Sequence, residues 1–344
     1  MSPDTSLQFF QCNPAANGEP PLPAAAGILG MSSLHHPAPG LPWPVQRVRM
    51  PLLGDGAKQL HEYWYSASPC RRGHFQDIHY SCNAELLYGA IELEEGHGSD
   101  TGTALQLAAE RAYRQLFSLL EAEGFPHLWR IWNYVPRINE MEHGLERYRQ
   151  FNIGRHEAFA DFERPVNSSP AACALGVEDG PLSIAFLAAR QAPRCIENPR
   201  QTSAFAYPRQ YGPRSPTFTR AAIAGNDILF ISGTASIVGH GTVHIGDVVA
   251  QTRETMANIT VLVEQARQLA PDAGYSLAGL DYRVYIRHAV DYARVRSTLE
   301  QLIGPGIRAV YVQADVCRSD LLVEVEAHGI PQANQQADAT AQRR

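Results

Sequence analysis

Nowhere does the chain of 344 residues approach 18 consecutive apolar residues, the length a membrane-spanning helix needs, so no such helix is expected. The N-terminus lacks a basic segment followed by an apolar run, which argues against an export signal. A basic excess is missing too: Lys and Arg number 29 against 35 Asp and Glu, a net charge of −6, which makes nucleic acid and anionic membranes poor partners. Six cysteines, Cys12, Cys70, Cys82, Cys173, Cys195 and Cys317, are scattered without a CxxC pair. That spacing suggests neither a zinc site nor a redox dithiol and suits free thiols in a reducing cytoplasm. No GxGxxG or Walker pattern follows a strand, so Gly239-His240-Gly241 reads as a hairpin or loop tip. His35-His36 has no partner at metal-ligand spacing and reads as solvated, so no metal is expected. What remains is a cytoplasmic enzyme or binding protein for a small molecule, and the 44% apolar content is enough to bury a core.

Residues 1–45, rich in Pro, Gly, Ala and Ser, show no sustained period and read as an irregular arm packed through Trp43. From there the patterning becomes that of a folded domain. Leu60 to Ser66 and Ala84 to Leu93 read as strands. Gly102 to Glu123 places Leu105, Ala108, Ala109, Ala112, Leu116 and Leu119 at helical spacing, with Thr101 or Asp100 as its cap and Gly124 as its stop. Leu128 to Val135 is a strand, Gly144 to Phe162 a second helix, and Cys173 to Val177 with Leu182 to Ala189 a pair of strands about the turn GVEDGP. After a connection rich in Pro, Arg and Tyr, the same order recurs: a strand from Asp227 to Ile237, a helix from Asp247 to Leu269, a strand from Asp281 to Arg287 and a helix from Asp291 to Ile303. Each half therefore runs β, α, β, α, β, β, which predicts two copies of one α+β unit over 46–195 and 196–330. The Gln-rich tail over 331–344 reads as disordered.

The segment RAVYVQADVCRSDLLVEVEA, from Arg308 to Ala327, alternates apolar and polar residues along two arms and predicts a hairpin over Ala309 to Val316 and Leu321 to Ala327. Its second arm places Glu324 and Glu326 together on the face opposite Val323 and Val325. Such a pair is either a solvated sheet face or the beginning of a site.

The stretch YGPRSPTFTRAAIAGNDILFISGTASI, followed by GDVVAQTRETMANITVLVEQA, DYRVYIRHAVDYARVRSTLEQLIG and the final VEVEA, resembles the RidA/YjgF family over about 120 residues. The two-unit length and the segments RIWNYVPRIN and RYRQFNIGRHEAF make the chain similar to the chorismatases of that superfamily. The resemblance implies two RidA/YjgF-like (chorismate-mutase-like) units, each a mixed sheet with two helices on one face, and a ligand cleft between them. Because one chain supplies both units, a monomer is expected. The activity implied is cleavage of the enolpyruvyl ether of chorismate to pyruvate and a cyclic product, with no cofactor.

Residue by residue, Arg308 falls where the RidA family carries its carboxylate-binding arginine, and Arg214 falls where that family has a tyrosine. Two arginines suit a dicarboxylate, since a guanidinium fork meets a carboxylate with two parallel hydrogen bonds. Arg155, Tyr207, Arg209 and Tyr211 are further candidates, each equally readable as a solvated or seam-packing residue. Glu324 matches the glutamate taken as the general acid in chorismatases. An enol ether is hydrolysed by protonating its terminal methylene carbon, and a carboxyl does this if burial and a neighbour such as Glu326 raise its pKa. Cys317 resembles the hydroxybenzoate-forming branch, whereas Ala235 in SGTAS resembles the branch that stops at a dihydroxycyclohexadiene. The mixture implies both 3-hydroxybenzoate and 4-hydroxybenzoate. A RidA-like imine or enamine deaminase and a silent ligand-binding protein remain alternatives.

Overall fold

A computed structural model describes residues 7–12, 27–34, 40–54 and 59–331. His35-His36 and the tail beyond Pro331 lie outside the described residues. In chain order the elements are β1 (Leu7–Cys12), β2 (Gly27–Leu34), β3 (Val45–Val48), β4 (Leu60–Ser66), β5 (Arg71–Phe75), β6 (Ile78–Cys82), β7 (Leu86–Leu93), α1 (Ala104–Glu123), β8 (His127–Pro136), α2 (Arg147–Asp161), β9 (Ala171–Val177) and β10 (Leu182–Ala189). The second half continues with β11 (Arg194–Ile196), β12 (Ala221–Ala224), β13 (Ile228–Ala235), α3 (Val248–Leu269), β14 (Asp281–Ile286), α4 (Tyr292–Ile303), β15 (Arg308–Gln313), β16 (Asp315–Val316) and β17 (Val323–Gly329).

The α+β class and the two repeated units hold. A seven-stranded sheet, ordered β16-β9-β8-β10-β7-β6-β5, backs α1 and α2, and a six-stranded sheet, ordered β11-β12-β13-β17-β14-β15, backs α3 and α4. The helices form where the apolar stripe predicts them. Thr103, rather than Thr101 or Asp100, caps α1 by accepting from the Gln106 N–H at 3.3 Å, and Gly124 ends it at φ 71°. Asp247 caps α3 by accepting from the N–H groups of Val249 and Ala250. Gly154 lets α2 lie directly on α1, because a Cβ there would collide with the Gln106 carbonyl oxygen.

Two expectations are corrected. The described residues 7–12 and 27–34 are not irregular: they form β1 and β2, which join β3 and β4 in a four-stranded sheet, ordered β1-β4-β2-β3, where an irregular arm over 1–45 was expected. The first unit's own sheet therefore begins at β5. Met31, Tyr63 and Trp43 pack on one face of the N-terminal sheet, while Leu29 and Trp64 join Trp132, Leu175, Phe230, Tyr285 and Val312 in a core shared by all three sheets. The second correction concerns the terminal hairpin. β15 and β17 both form, but β14 lies between them, parallel to β15 and antiparallel to β17. The first half does the same: β8 separates β9 from β10. In each unit a helix carries the chain across to a parallel neighbour, and the last strand then pairs antiparallel with the other edge of the strand from which the crossover began.

Candidate active site

The two units meet at a cleft of about 240 Å³ whose walls come from both halves of the chain. From the first half come Tyr148, Arg149 and Arg155 on α2 with Cys173 on β9. From the second come Tyr207, Tyr211, Phe218 and Arg220 of the connection, Gly233 and Ala235 on β13, Cys317, and Glu324 on β17. Ser232 stitches the seam beneath, accepting from the Ala172 N–H at 2.9 Å and donating to the Thr219 carbonyl at 2.5 Å. β16 crosses from the second half to pair with β9 through Leu175 and Val316.

Glu324 lines this cleft, although only 4% of its surface is exposed. It stands opposite Ala235 on one side and Tyr285 on the other. The β13–β17 register shifts between Ile231 and Thr234, beside Gly233, and the Glu324 carboxyl fills the space where a Cβ at 233 would stand. Burial first, and the neighbouring Glu326 charge second, push the Glu324 pKa up to about 8 against the pull of Arg130 and Arg220. Glu326 lies on the same face and is just as deeply buried, but its surroundings are opposite. Burial would raise it, yet the guanidinium groups of Arg130 and Arg283 outweigh that and hold it below the ordinary carboxylate value. Trp132 Nε1 also donates to it at 3.2 Å. The solvated-face alternative for this pair is thereby removed.

The arginines fall differently from expectation. Arg308 sits at the exposed start of the edge strand β15, where Asp281 takes its Nε–H at 2.7 Å and the Gly279 carbonyl accepts from Nη2 at 2.8 Å. It borders a smaller crevice shared with Glu326 and is absent from the cleft walls. Arg214 is exposed and paired with Glu157 at 3.0 Å. The clamp drawn through Arg308 and Arg214 is therefore not assembled, because each guanidinium is already satisfied by a carboxylate outside the cleft. Arg209, on an exposed turn, stays outside as well.

Arg155, in contrast, lines the cleft at 3% exposure, donating to Asn152 Oδ1 at 3.0 Å and leaving its Nε–H without a partner. Arg220, which the sequence reading passed over, matches it: also 3% exposed, it donates to the Thr202 carbonyl at 2.6 Å and the Tyr207 hydroxyl at 2.9 Å, with Nε again unpartnered. Neither is paired with a carboxylate among the described residues. Buried cations without counter-ions are costly, so both are poised for an anionic ligand. The available signal was an arginine directly ahead of the apolar strand AAIA, where a side chain on the strand's first pleat must point into protein. Tyr207 and Tyr211 form the rim, with Arg318 stacked 4.1 Å from the Tyr211 ring centroid.

Cys317 and Ala235 are brought together, packed with Ile237, Val316 and Leu321. Burial, followed by the Glu324 charge, pushes the Cys317 thiol up to about 12. It remains S–H at neutral pH. Cys173, also missed from sequence, lies between Glu324 and Glu326 with its thiol donating to the Glu326 carboxylate. All six cysteines are free, and no helix among the described residues is long and apolar enough to cross a membrane.

Residues 62–188 match the family described as chorismatase FkbO/Hyg5-like, N-terminal. A 3-hydroxybenzoate synthase from Streptomyces hygroscopicus is 34% identical over 320 residues, 88% of this chain and 92% of that protein. A chorismatase from Streptomyces rapamycinicus is 36% identical over 275 residues, covering 77% and 80%. A chorismatase crystal structure superposes with a TM-score of 0.83 at 30% identity, over 95% of this chain and 99% of that one. With its two fused units and the buried acid at their seam, the chain is an enzyme of the FkbO/Hyg5-like chorismatase family.

Proposed function

We propose that the protein cleaves the enolpyruvyl ether of chorismate, releasing pyruvate and hydroxybenzoate, with Glu324 as the general acid. One observation carries this reading: a buried carboxyl with its pKa lifted to about 8 faces a cleft that also holds two arginines free of carboxylate partners. Protonating the terminal methylene carbon needs a group that is still protonated near neutral pH and close to its own pKa, where proton transfer is most effective. Arg155 and Arg220 offer one guanidinium to each substrate carboxylate, and the aromatic faces of Phe218 and Tyr148 suit the ring. Proton delivery creates an oxocarbenium ion. Cleavage of its bond to the ring carbon releases pyruvate with that oxygen, and loss of a ring C–H proton aromatises the remaining ring cation, which keeps its own hydroxyl oxygen, to hydroxybenzoate. Water adding to the oxocarbenium carbon instead gives a hemiketal that collapses to pyruvate and the dihydroxycyclohexadiene.

The neutral Cys317 and the small Ala235 shape the ring end of the cleft. This leaves room for two ring orientations, so 3-hydroxybenzoate and 4-hydroxybenzoate both form. The name of the Streptomyces hygroscopicus relative supports the aromatic outcome over the dihydroxycyclohexadiene. Both walls of the cleft come from one chain, which supports action as a monomer, and the six free cysteines support a reducing, cytoplasmic setting. The test is to incubate the purified protein with chorismate, quantify pyruvate and resolve the ring products by chromatography. Absence of pyruvate would sink the reading, and turnover of small imines or enamines instead would point to a RidA-like deaminase.

A further inference from the structure

Outside the cleft walls lies a buried charge cluster, none of whose members lines the cleft. Arg130 from β8 pairs with Glu326 on β17, Arg283 from β14 pairs with Glu62 on β4, and Arg283 also approaches Glu326 at 3.5 Å. All four groups are nearly inaccessible to water. Ion clusters of this kind are weak stabilisers, since apolar residues of the same volume usually do as well. Their charges also balance without Glu324: two guanidinium groups meet two carboxylates. An ionised Glu324, one pleat from Glu326 and about 6.6 Å along the same strand face, would be an anion outside this balanced set, answered by Arg220 of the cleft and by an Arg130 that Glu326 already engages.

We propose that Glu326 is a positioning residue for the reaction, a buried carboxylate that stays ionised and whose like-charge repulsion, added to burial, holds the Glu324 carboxyl in its acid form.

The surroundings define what competes with this effect. Glu324 is faced by Glu326 from its own strand, Arg130 from β8, Arg220 from the connection, Cys173 from β9, Cys317 from the preceding turn, Tyr148 from α2 and Tyr285 from β14. Only Arg130 and Arg220 favour its ionised form. Arg130 is already engaged by Glu326, and Arg220 is the cation that substrate would engage. Glu326 is faced by Arg130 and Trp132 from β8, Arg283 and Tyr285 from β14, Cys173 from β9, and His328 from β17. Burial keeps His328 neutral, with its pKa lowered to about 4, so it adds no competing charge near neutrality. Glu326 thus stays an anion where Glu324 does not, and the two carboxylates divide the roles of fixed charge and acid as a like-charge pair must.

This inference rests on Glu324 being the acid, and the experiment separates the two. Pyruvate release is measured against pH for the full chain carrying Glu326→Gln, Glu326→Asp or Glu324→Gln. In Glu326→Gln the loss of turnover on the alkaline side should move to lower pH by about one unit or more, with the rate recovering toward the parent's at acid pH. Glu326→Asp, which keeps the charge, should keep the parent's alkaline limb. Should Glu326→Gln fold poorly because its two arginines lose a partner, the double variant Glu326→Gln/Arg283→Met leaves one cation and one anion in the cluster and should show the same downward shift. If Glu324→Gln abolishes turnover while the limb stays fixed in both charge-removing variants, Glu326 is structural and this inference fails. If Glu324→Gln retains turnover, the assignment of the acid fails instead.

Discussion

The Glu324 carboxyl occupies the space in which residue 233 would carry its Cβ, so the acid and Gly233 are fitted to each other. Gly233→Ala must push aside either the sheet or the end of a flexible side chain, and the side chain is the softer of the two. The fold should therefore survive, with a thermal midpoint close to the parent's, while turnover drops at least tenfold because the acid leaves its position. A proton donor displaced by about 1 Å costs on the order of 10²-fold in rate. Calorimetry together with pyruvate release checks both halves, and full activity in Gly233→Ala would show that the carboxyl works from another position.

Glu324→Gln removes the proposed proton donor at nearly constant shape. Turnover should fall by about 10²-fold or more with substrate affinity little changed. For the parent, the acid form predominates below about pH 8, so activity should hold through neutrality and decline as pH rises above 8. Stability follows the same sign. A carboxyl whose folded pKa is raised favours folding at low pH and loses that contribution as pH climbs toward the folded value. Between the ordinary carboxylate range and pH 8, the parent should lose stability relative to Glu324→Gln. Parallel melting curves against pH would show this, and a gap that does not change with pH would mean that the carboxyl is not held protonated.

Substrate anchoring should divide along the arginines of the cleft. Arg155→Ala and Arg220→Ala each remove a buried guanidinium with a free N–H, and loss of one charge-assisted pair should cost about 1.5–3 kcal/mol, roughly 10- to 100-fold in Kd. Arg308→Ala, outside the cleft and tied to Asp281, should leave affinity unchanged. Titration calorimetry with a non-reacting chorismate analogue tests the set. Weakened binding in Arg308→Ala with no effect from Arg155→Ala would move the site.

Much of this architecture was legible in the sequence because it is written locally. Helical stripes, the Gly124 stop and the alternation that put Glu324 beside Glu326 are properties of single elements. The alternation along 308–327, however, reports that two strands exist and not which strands they pair with. The partner order was set by the crossover helices, so β14 came between β15 and β17. β1 and β2 were missed because their short apolar runs lie among Pro- and Gly-rich segments and find partners only further along the chain, in β4 and, for β2, also β3. Arg308 and Arg214 illustrate the same limit for the site: alignment to a family position cannot reveal that Asp281 and Glu157 already satisfy them. Arg220 and Cys173 lie in strand-like contexts that read as core, and only the meeting of the two units makes them walls of a cleft.

Product choice should be separable from acid catalysis at Cys317. The thiol packs with Ala235 against Ile237, Val316 and Leu321, and burial together with Glu324 keeps it protonated. A thiol held protonated can steer a ring by size and surface but not by base strength. Valine is β-branched and stiffer at χ1, so it presents a broader wall at the same depth and disfavours the ring orientation that leads to aromatisation. Cys317→Val should then divert flux from hydroxybenzoate toward the non-aromatic dihydroxy product. Pyruvate release should stay within a few-fold of the parent, because Glu324 and the two arginines are untouched. Cys317→Ser, close in size to the thiol, should keep the aromatic products if shape decides. Chromatography of the ring products beside a pyruvate assay distinguishes the cases. An unchanged hydroxybenzoate yield from the valine variant would place product choice elsewhere in the cleft, and a loss of aromatic product from the serine variant alone would mean that the sulfur's chemistry matters.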